Sequence, residues 1–94
     1  MLTLTDNAAT IVKDLAGRST GSTEGGLRIA TLENDTSNFE VTMAPTAELY
    51  DQVVENNGAH VFLEKNAADS LADKQLDANR DDDGAVRFSI SPRV

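Results

Sequence analysis

The sequence predicts a mainly β fold with α-helical additions, in a single domain over residues 1–94. Three segments alternate apolar and polar residues with a period of two, which is typical of strands with one buried face: 27–31, 39–43 and 86–90. Near the start of the chain, apolar residues recur instead at helical spacing. The pair Asn57-Gly58 lies between two apolar runs and is the strongest hairpin signal, because both residues tolerate positive φ.

The N-terminal segment predicts a short edge strand followed by the one long helix. Leu2 and Leu4 flank a polar residue, as in a strand. Thr5 then fits a helix N-cap, with an acidic residue in the first turn where the helix dipole favours negative charge. The apolar residues of the helix are Ala8, Ile11, Val12 and Leu15. We expect Gly17 to end the helix and residues 17–26 to form a loop of small residues.

The central segment predicts a first hairpin. Residues 27–31 and 39–43 form its strands, the polar stretch 33–37 connects them, and Pro45 ends the second strand. Residues 46–51 fit either a loop or one helical turn.

A second hairpin is predicted around Asn57-Gly58, with residues 59–64 as its return strand. Asn66 can cap a short helix with its buried side formed by Ala68 and Leu71. Residues 75–79 fit a short strand, residues 80–84 a charged turn, and the segment from Val86 to Pro92 the last strand. The pattern therefore predicts about six short strands and one substantial helix.

The charge of the chain argues against several partners. Sixteen acidic residues against eight basic ones give a net charge of -8. Nucleic acids and anionic membranes are bound largely by Lys and Arg, so neither is an expected partner. No stretch approaches the ~20 apolar residues that span a bilayer, and the first residues lack a basic leader. We expect a cytoplasmic, acidic protein, with the negative charge serving solubility.

Candidate catalytic groups are few. The sequence contains no cysteine, which excludes a thiolate nucleophile and cysteine-based metal sites. His60, the one histidine, lies in a predicted strand without a recognisable partner, so we interpret it as structural. We expect no catalytic residues and no enzyme.

One acidic turn partly fits the ligand spacing of a calcium loop. Asn79, Asp81 and Asp83 occupy its first, third and fifth positions, and Gly84 the position of the sharp turn. The closing glutamate is replaced by Ile90, and the flanking segments are predicted strands. These three residues are weak metal candidates, and an ordinary acidic turn explains them as well.

The order of the segments resembles that of the A-type iron–sulfur carriers, the HesB/IscA-like proteins. LTLTDNAATIVKDLA resembles the family's opening strand and Thr-capped helix, and Gly26-Leu27-Arg28-Ile29 its Gly-Leu-Arg-Leu strand. NGAHVFLEKNAADSLADKQLDA resembles its strand, short helix and Leu-Asp strand, and residues 86–92 its last strand and Asn-Pro turn. The resemblance implies a HesB-like domain of two small mixed sheets, one N-terminal helix and one short helix.

The resemblance also locates the cluster ligands, three cysteines that are absent here. The first would fall near Thr36, and its flanking glycines are missing too. The other two belong to a Cys-Gly-Cys tail, for which the sequence has no room between Pro92 and Val94. A threonine hydroxyl is a poor ligand for iron, whose cluster ligands are usually thiolates. We therefore expect no bound cofactor.

Two functional hypotheses follow. The first is a non-enzymatic, cluster-free HesB-like domain that binds a protein partner of unknown identity, for example in iron–sulfur assembly or its regulation. Because members of the family commonly self-associate, a homodimer is compatible with it. The alternative is a metal-binding protein that uses oxygen ligands of the acidic turns, such as Asp35, Asp81 and Asp83.

Overall fold

The computed structural model describes residues 1–21, 24–32 and 35–92, and of residues 20, 32 and 35–38 it describes the backbone. Strands and helices follow one another as in a mainly β protein with two helices, which confirms the predicted fold class. The elements are β1 (Thr3–Leu4), α1 (Asp6–Thr20), β2 (Gly26–Leu32), β3 (Asp35–Ala44), β4 (Gln52–Asn56), β5 (Ala59–Leu63), α2 (Lys65–Ser70), β6 (Lys74–Arg80) and β7 (Val86–Pro92).

The strands form two mixed sheets. The first has the order β1-β6-β7, with β1 parallel and β7 antiparallel to β6. The second has the order β3-β2-β5-β4, with β2 and β5 parallel and the two outer pairs antiparallel. Both predicted hairpins are confirmed as the pairs β2–β3 and β4–β5. Asn57 and Gly58 have φ values of 52° and 86°, as a two-residue hairpin turn requires.

The connection between β2 and β3 is shorter than the predicted polar stretch 33–37. The strand β3 already begins at Asp35, which pairs with Leu32 across a register shift after Thr31. A bulge of this kind lets the ladder continue through residues whose polarity suggests a loop. At the other end, β3 ends at Ala44 before Pro45, as predicted. Residues 46–51 contain turns and no helix.

The N-terminal helix begins where predicted and ends later. Thr5 is the N-cap, its Oγ1 accepting a hydrogen bond of 3.1 Å from the Ala8 amide. The prediction that Gly17 ends the helix is wrong: α1 continues to Thr20, and Gly21, with φ of 67°, donates its N–H to the Gly17 carbonyl. A glycine inside a helix costs about 1 kcal/mol relative to alanine. The packing of the preceding turns outweighs that cost, since tertiary contacts supply most helical stability.

The short helix α2 is capped by a different residue from the one predicted. Glu64, not Asn66, is the N-cap: its Oε2 accepts from the Asn66 amide at 2.8 Å and its Oε1 from the Ala67 amide at 3.3 Å. The same Oε1 accepts from the amide and hydroxyl of Thr31, which fixes α2 to β2. Leu71 is buried and Ala68 packs half-buried against the core, as predicted, while Ala67 is fully buried and was not predicted.

The core lies where α1 packs against one face of the four-stranded sheet and against β6. Paired positions of β2 and β5 point into it, and their side chains are at most 2% exposed: Leu27, Ile29, Val61 and Leu63. From α1 they meet Ala8, Ala9, Ile11 and Val12. In the described part of the chain, no helix has the length and apolar character needed to cross a membrane.

Candidate interaction surface

A charged clasp on the outer face of the four-stranded sheet holds the segment between β3 and β4. Arg28 lies between Leu27 and Ile29 on β2, so its side chain points away from the core. Its guanidinium donates from Nε to Asp51 Oδ2 at 2.9 Å and from Nη2 to Asp51 Oδ1 at 3.1 Å. The Asp51 side chain is only 3% exposed and that of Arg28 is 21% exposed. This two-bond geometry is the strongest form of an arginine–carboxylate pair.

The same carboxylate closes a turn. Asp51 Oδ2 accepts from the Glu48 amide at 3.0 Å, and the Asp51 amide donates to the Glu48 carbonyl at 3.0 Å. Residues 48–51 therefore form a four-residue turn, here called the 48–51 turn, with Leu49 and Tyr50 at its centre. Tyr50 has a φ of 71°, the positive value that a type II turn requires at its third residue. A bulky residue with positive φ is strained and persists only where its surroundings fix it.

The consequence is a rigid protrusion with apolar side chains at its tip. Leu49 is 83% exposed and Tyr50 88% exposed. Glu48, whose side chain is 66% exposed, reaches back to Arg28 with an Nη2–Oε2 distance of 2.7 Å. A cavity of about 810 Å³ lies beside the turn, also lined by Glu64 and Lys65.

The clasp shifts the pKa values of both of its ionisable groups, Arg28 and Asp51. The hydrogen bonds from Arg28, together with the Glu48 amide and the charge of Arg28, lower the pKa of Asp51 against the opposing effect of burial. The hydrogen bond to Asp51 likewise raises the pKa of Arg28. Both shifts stabilise the charged pair, so the clasp is intact throughout the neutral pH range.

His60, the predicted structural histidine, lies on β5. Its Nε2 is 3.2 Å from Glu55 Oε2 on the neighbouring strand, and its ring stacks on that of Phe62 with centroids 6.3 Å apart. Its Nδ1 is buried and has no hydrogen-bond partner among the described residues. Among the described residues, the contacts of the His60 ring are therefore with a carboxylate and an aromatic ring.

In the acidic turn, the side chain of Asp81 accepts hydrogen bonds from the backbone of the same turn. Asn79 lies in β6, and Asp81 Oδ1 accepts from the amides of Asp83 and Ala85 at 3.0 and 2.9 Å. This is the pattern of an Asx turn, which gives the aspartate a structural role. Among residues 1–21, 24–32 and 35–92, no group of three or more acidic or histidine side chains is placed to hold a metal ion. The side chains of Asp35 and Thr36 lie outside the described residues.

The sequence did not indicate the clasp. Arg28 was placed on the polar face of its strand, but its partner Asp51 lies 23 residues further along the chain. The intervening segment 46–51 fitted a loop and a helical turn equally. Only the pairing of β2 with β5, and of β5 with β4, brings the start of β4 beside Arg28.

Comparison with solved structures identifies the fold. SufA from Escherichia coli, described as involved in the biosynthesis of iron–sulfur clusters, superposes with a TM-score of 0.74 at 22% identity, over 97% of this chain and 84% of SufA. IscA with a [2Fe–2S] cluster gives 0.64 at 19% identity, over 98% of this chain and 85% of IscA. This chain has the fold of the A-type iron–sulfur carriers.

A third structure agrees with that assignment. A protein from Aquifex aeolicus, solved by solution NMR, gives a TM-score of 0.68 at 25% identity over 96% of this chain and 89% of its own. No protein-family model matches the sequence, and no curated protein matches it significantly. The carrier fold is thus present in 94 residues that contain no cysteine.

Proposed function

We propose that this chain is a non-enzymatic, cluster-free protein-interaction module with the A-type carrier fold, and that it binds its partner through the 48–51 turn. The observation that carries the proposal is the pair Leu49 and Tyr50, 83% and 88% exposed on a turn that is fixed by the Asp51 carboxylate, whose side chain is 3% exposed. Exposed apolar side chains on a rigid support are typical of binding surfaces.

The absence of thiolates supports the cluster-free part of the proposal. Protein ligands of iron–sulfur clusters are usually cysteine thiolates, and the chain has none. SufA and IscA are associated with cluster biosynthesis and with a bound cluster. We therefore place this chain beside iron–sulfur assembly, in the cytoplasm, as a protein that contacts the machinery without holding a cluster.

The energetics of the turn suit it to binding. Burying an exposed leucine or aromatic side chain stabilises a complex by about 1.5–3 kcal/mol each. Because the clasp already fixes the backbone at Tyr50, little conformational entropy is lost there on binding. Tyrosine is among the residues most enriched at the energetic centres of interfaces.

Charge complementarity defines the partner. The chain carries a net charge of -8, and the exposed carboxylate of Glu48 lies beside the apolar tip. The matching surface is an apolar pocket on another protein, rimmed by Lys and Arg side chains, because opposite potentials favour encounter and register. A second copy of this chain shares the negative charge and fits less well.

The test compares two variants by affinity capture from the native host, followed by direct binding with the purified captured protein. Leu49→Ser/Tyr50→Ser removes the tip, and Ile90→Ser is the control, since Ile90 is an exposed apolar residue on β7. Isothermal titration calorimetry measures the affinity of all three proteins, because Tyr50 is the one tyrosine and the double variant would have no tyrosine or tryptophan fluorescence.

We expect the control to bind like the wild type and the double variant to lose at least about a hundredfold in affinity, from two side chains of about 1.5 kcal/mol each. Equal binding by all three proteins contradicts the proposed surface. A captured set without any assembly protein contradicts the link to iron–sulfur assembly. Concentration-dependent self-association that the double variant abolishes makes a second copy the occupant.

A further inference from the structure

Two adjoining cavities follow the exposed side of α1, away from the 48–51 turn. They have volumes of about 560 and 600 Å³ and share Lys13 and Gly17 in their linings. Thr10, Asp14, Arg18 and Asn57 complete the first. Together they form one depression, here called the α1 groove, between the C-terminal half of α1 and the β4–β5 turn. Cavities of this size are typical of sites for small molecules.

The α1 groove is locally positive in a strongly negative chain. Asp14 is neutralised by Arg18, with Nε at 3.1 Å, and by Arg80, whose Nη2 lies 2.6 Å from its Oδ2. Lys13 has no ion-pair partner among the described residues. Of the residues that line the two cavities, Lys13 and Arg18 are cationic and Asp14 is anionic, so the lining itself carries a net charge of +1.

Gly17 forms an open floor in the α1 groove. An added Cβ at this position would meet no atom within 4 Å, so packing inside the protein does not require a glycine there. Glycine is nevertheless unfavourable inside a helix. Glycine in such a place allows a ligand to approach the backbone closely.

The β4–β5 turn positions the cation. A Cβ at Gly58 would lie 3.3 Å from Lys13 Nζ and 3.4 Å from its Cε, so the lysine side chain passes directly over this glycine. The absence of a Cβ at Gly58 therefore leaves room for the Lys13 side chain. Lys13 and Asn57 line the same cavity.

From this geometry we infer that the α1 groove binds a small organic anion through a carboxylate or phosphate group. Lys13 supplies the positive charge, and the Thr10 hydroxyl and the Asn57 amide supply neutral donors at the same cavity. Lysine acts toward such anions as a point charge with three donors. The groove shares no lining residue with the cavity beside the 48–51 turn, so this inference is independent of the proposed function.

The experiment is a titration of the full chain with inorganic phosphate and, separately, with citrate, followed by amide NMR shifts at constant ionic strength. The Lys13→Gln variant removes the Lys13 ammonium. Lys74→Gln is the matched control, because Lys74 lies on β6 beside Asp73 and lines neither cavity of the groove. Gly17→Ala adds a methyl group to the floor, and thermal unfolding is measured for every variant.

In the wild type and in Lys74→Gln we expect saturable shifts at residues 13–18 and 57–58 with at least one of the two anions. Lys13→Gln should weaken this binding about tenfold or more, as loss of a charge-assisted hydrogen bond does. Gly17→Ala should weaken binding as well while raising the melting temperature, a combination that a purely structural glycine does not give.

Saturation by phosphate alone indicates a phosphate-bearing ligand, and saturation by citrate alone indicates a carboxylate. The inference is overturned if neither anion gives saturable shifts in the groove. It is equally overturned if folded Lys13→Gln binds both anions as the wild type does.

Discussion

Arg28→Met tests the clasp that supports the proposed interaction surface. The substitution keeps an unbranched apolar stem on β2 and removes both hydrogen bonds to Asp51, at 2.9 and 3.1 Å. The Asp51 carboxylate is then left 3% exposed, with the Glu48 amide as its remaining partner. Removing one member of a buried pair costs about 3–5 kcal/mol. Because the Arg28 side chain is 21% exposed, water reaches the pair, and we expect a smaller loss of about 1–2 kcal/mol in the free energy of unfolding.

The pH dependence of this loss follows from the lowered pKa of Asp51. A carboxyl group whose native pKa is depressed contributes stability above its ordinary pKa, which is 3.8 here, and loses it as the pH falls through the native value. Arg28 stays charged throughout this range. The difference between wild type and variant should therefore be constant from neutral pH down to about 5 and shrink once the pH falls below the ordinary value.

The assay is urea unfolding of the wild type, Arg28→Met, Asp51→Ala and the double variant, which together form a double-mutant cycle. Tyrosine fluorescence anisotropy of Tyr50 adds a local readout, and we expect it to fall in every variant as the turn loosens. A coupling energy below about 0.5 kcal/mol, or one unchanged on acidification, would refute the reasoning because the two side chains would then act independently.

Three further predictions concern the backbone, the second helix and the cluster. Gly26→Ala should lower the free energy of unfolding by at least about 3 kcal/mol, because the new Cβ would lie 2.2 Å from the His60 carbonyl oxygen and a clash with backbone cannot relax. Urea unfolding measures this loss, with Gly17→Ala as the control, and equal effects of the two substitutions would contradict the prediction. Glu64→Ala should lower the free energy of unfolding by about 2 kcal/mol, as the loss of a strong N-cap does. Hydrogen bonds from the backbone amides of Asn66 and Thr31 lower the pKa of Glu64, so the difference between wild type and variant should shrink below the ordinary pKa of 4.5. A difference that stays constant in acid would argue against this role. Anaerobic reconstitution should leave the chain colourless and free of stoichiometric iron and sulfide, with SufA treated in parallel as the positive control; a coloured, stoichiometric cluster would mean that other ligands hold it.

Most of the fold could be predicted because local signals agree with tertiary packing. Alternation at Leu27, Ile29 and Thr31 marks the strand whose buried face meets α1, and Asn57-Gly58 sets the second hairpin through its own backbone preference. Helix ends were predicted less well. The end of α1 was predicted wrongly at Gly17 because a glycine inside a helix and a glycine after one look alike in sequence. The cap of α2 was predicted wrongly because the side chain of Glu64 caps the helix while it also accepts a hydrogen bond from Thr31 of a distant strand.

The candidate surface could not be predicted, because no local pattern encodes it. Arg28 and Asp51 meet through two strand pairings, β2 with β5 and β5 with β4, and the positive φ of Tyr50 falls on a residue type that disfavours it. Sequence reasoning finds turns through glycine, asparagine or proline, and this turn has none of them at its centre. Such a conformation is imposed by long-range contacts and emerges only once the sheet is assembled.

The absence of cysteine and the persistence of the fold are physically compatible. The described core consists of apolar side chains from α1 and both sheets, and the helix caps come from Thr5 and Glu64. None of these contacts involves a cysteine, so the packing of the fold does not depend on that residue. The 48–51 turn differs in this respect: it keeps a tyrosine in a strained backbone conformation and a nearly buried carboxylate, while its two largest side chains contribute little to the core. Strain of this kind is concentrated at functional sites, and this is the physical reason why we propose the turn, and not the core, as the binding surface.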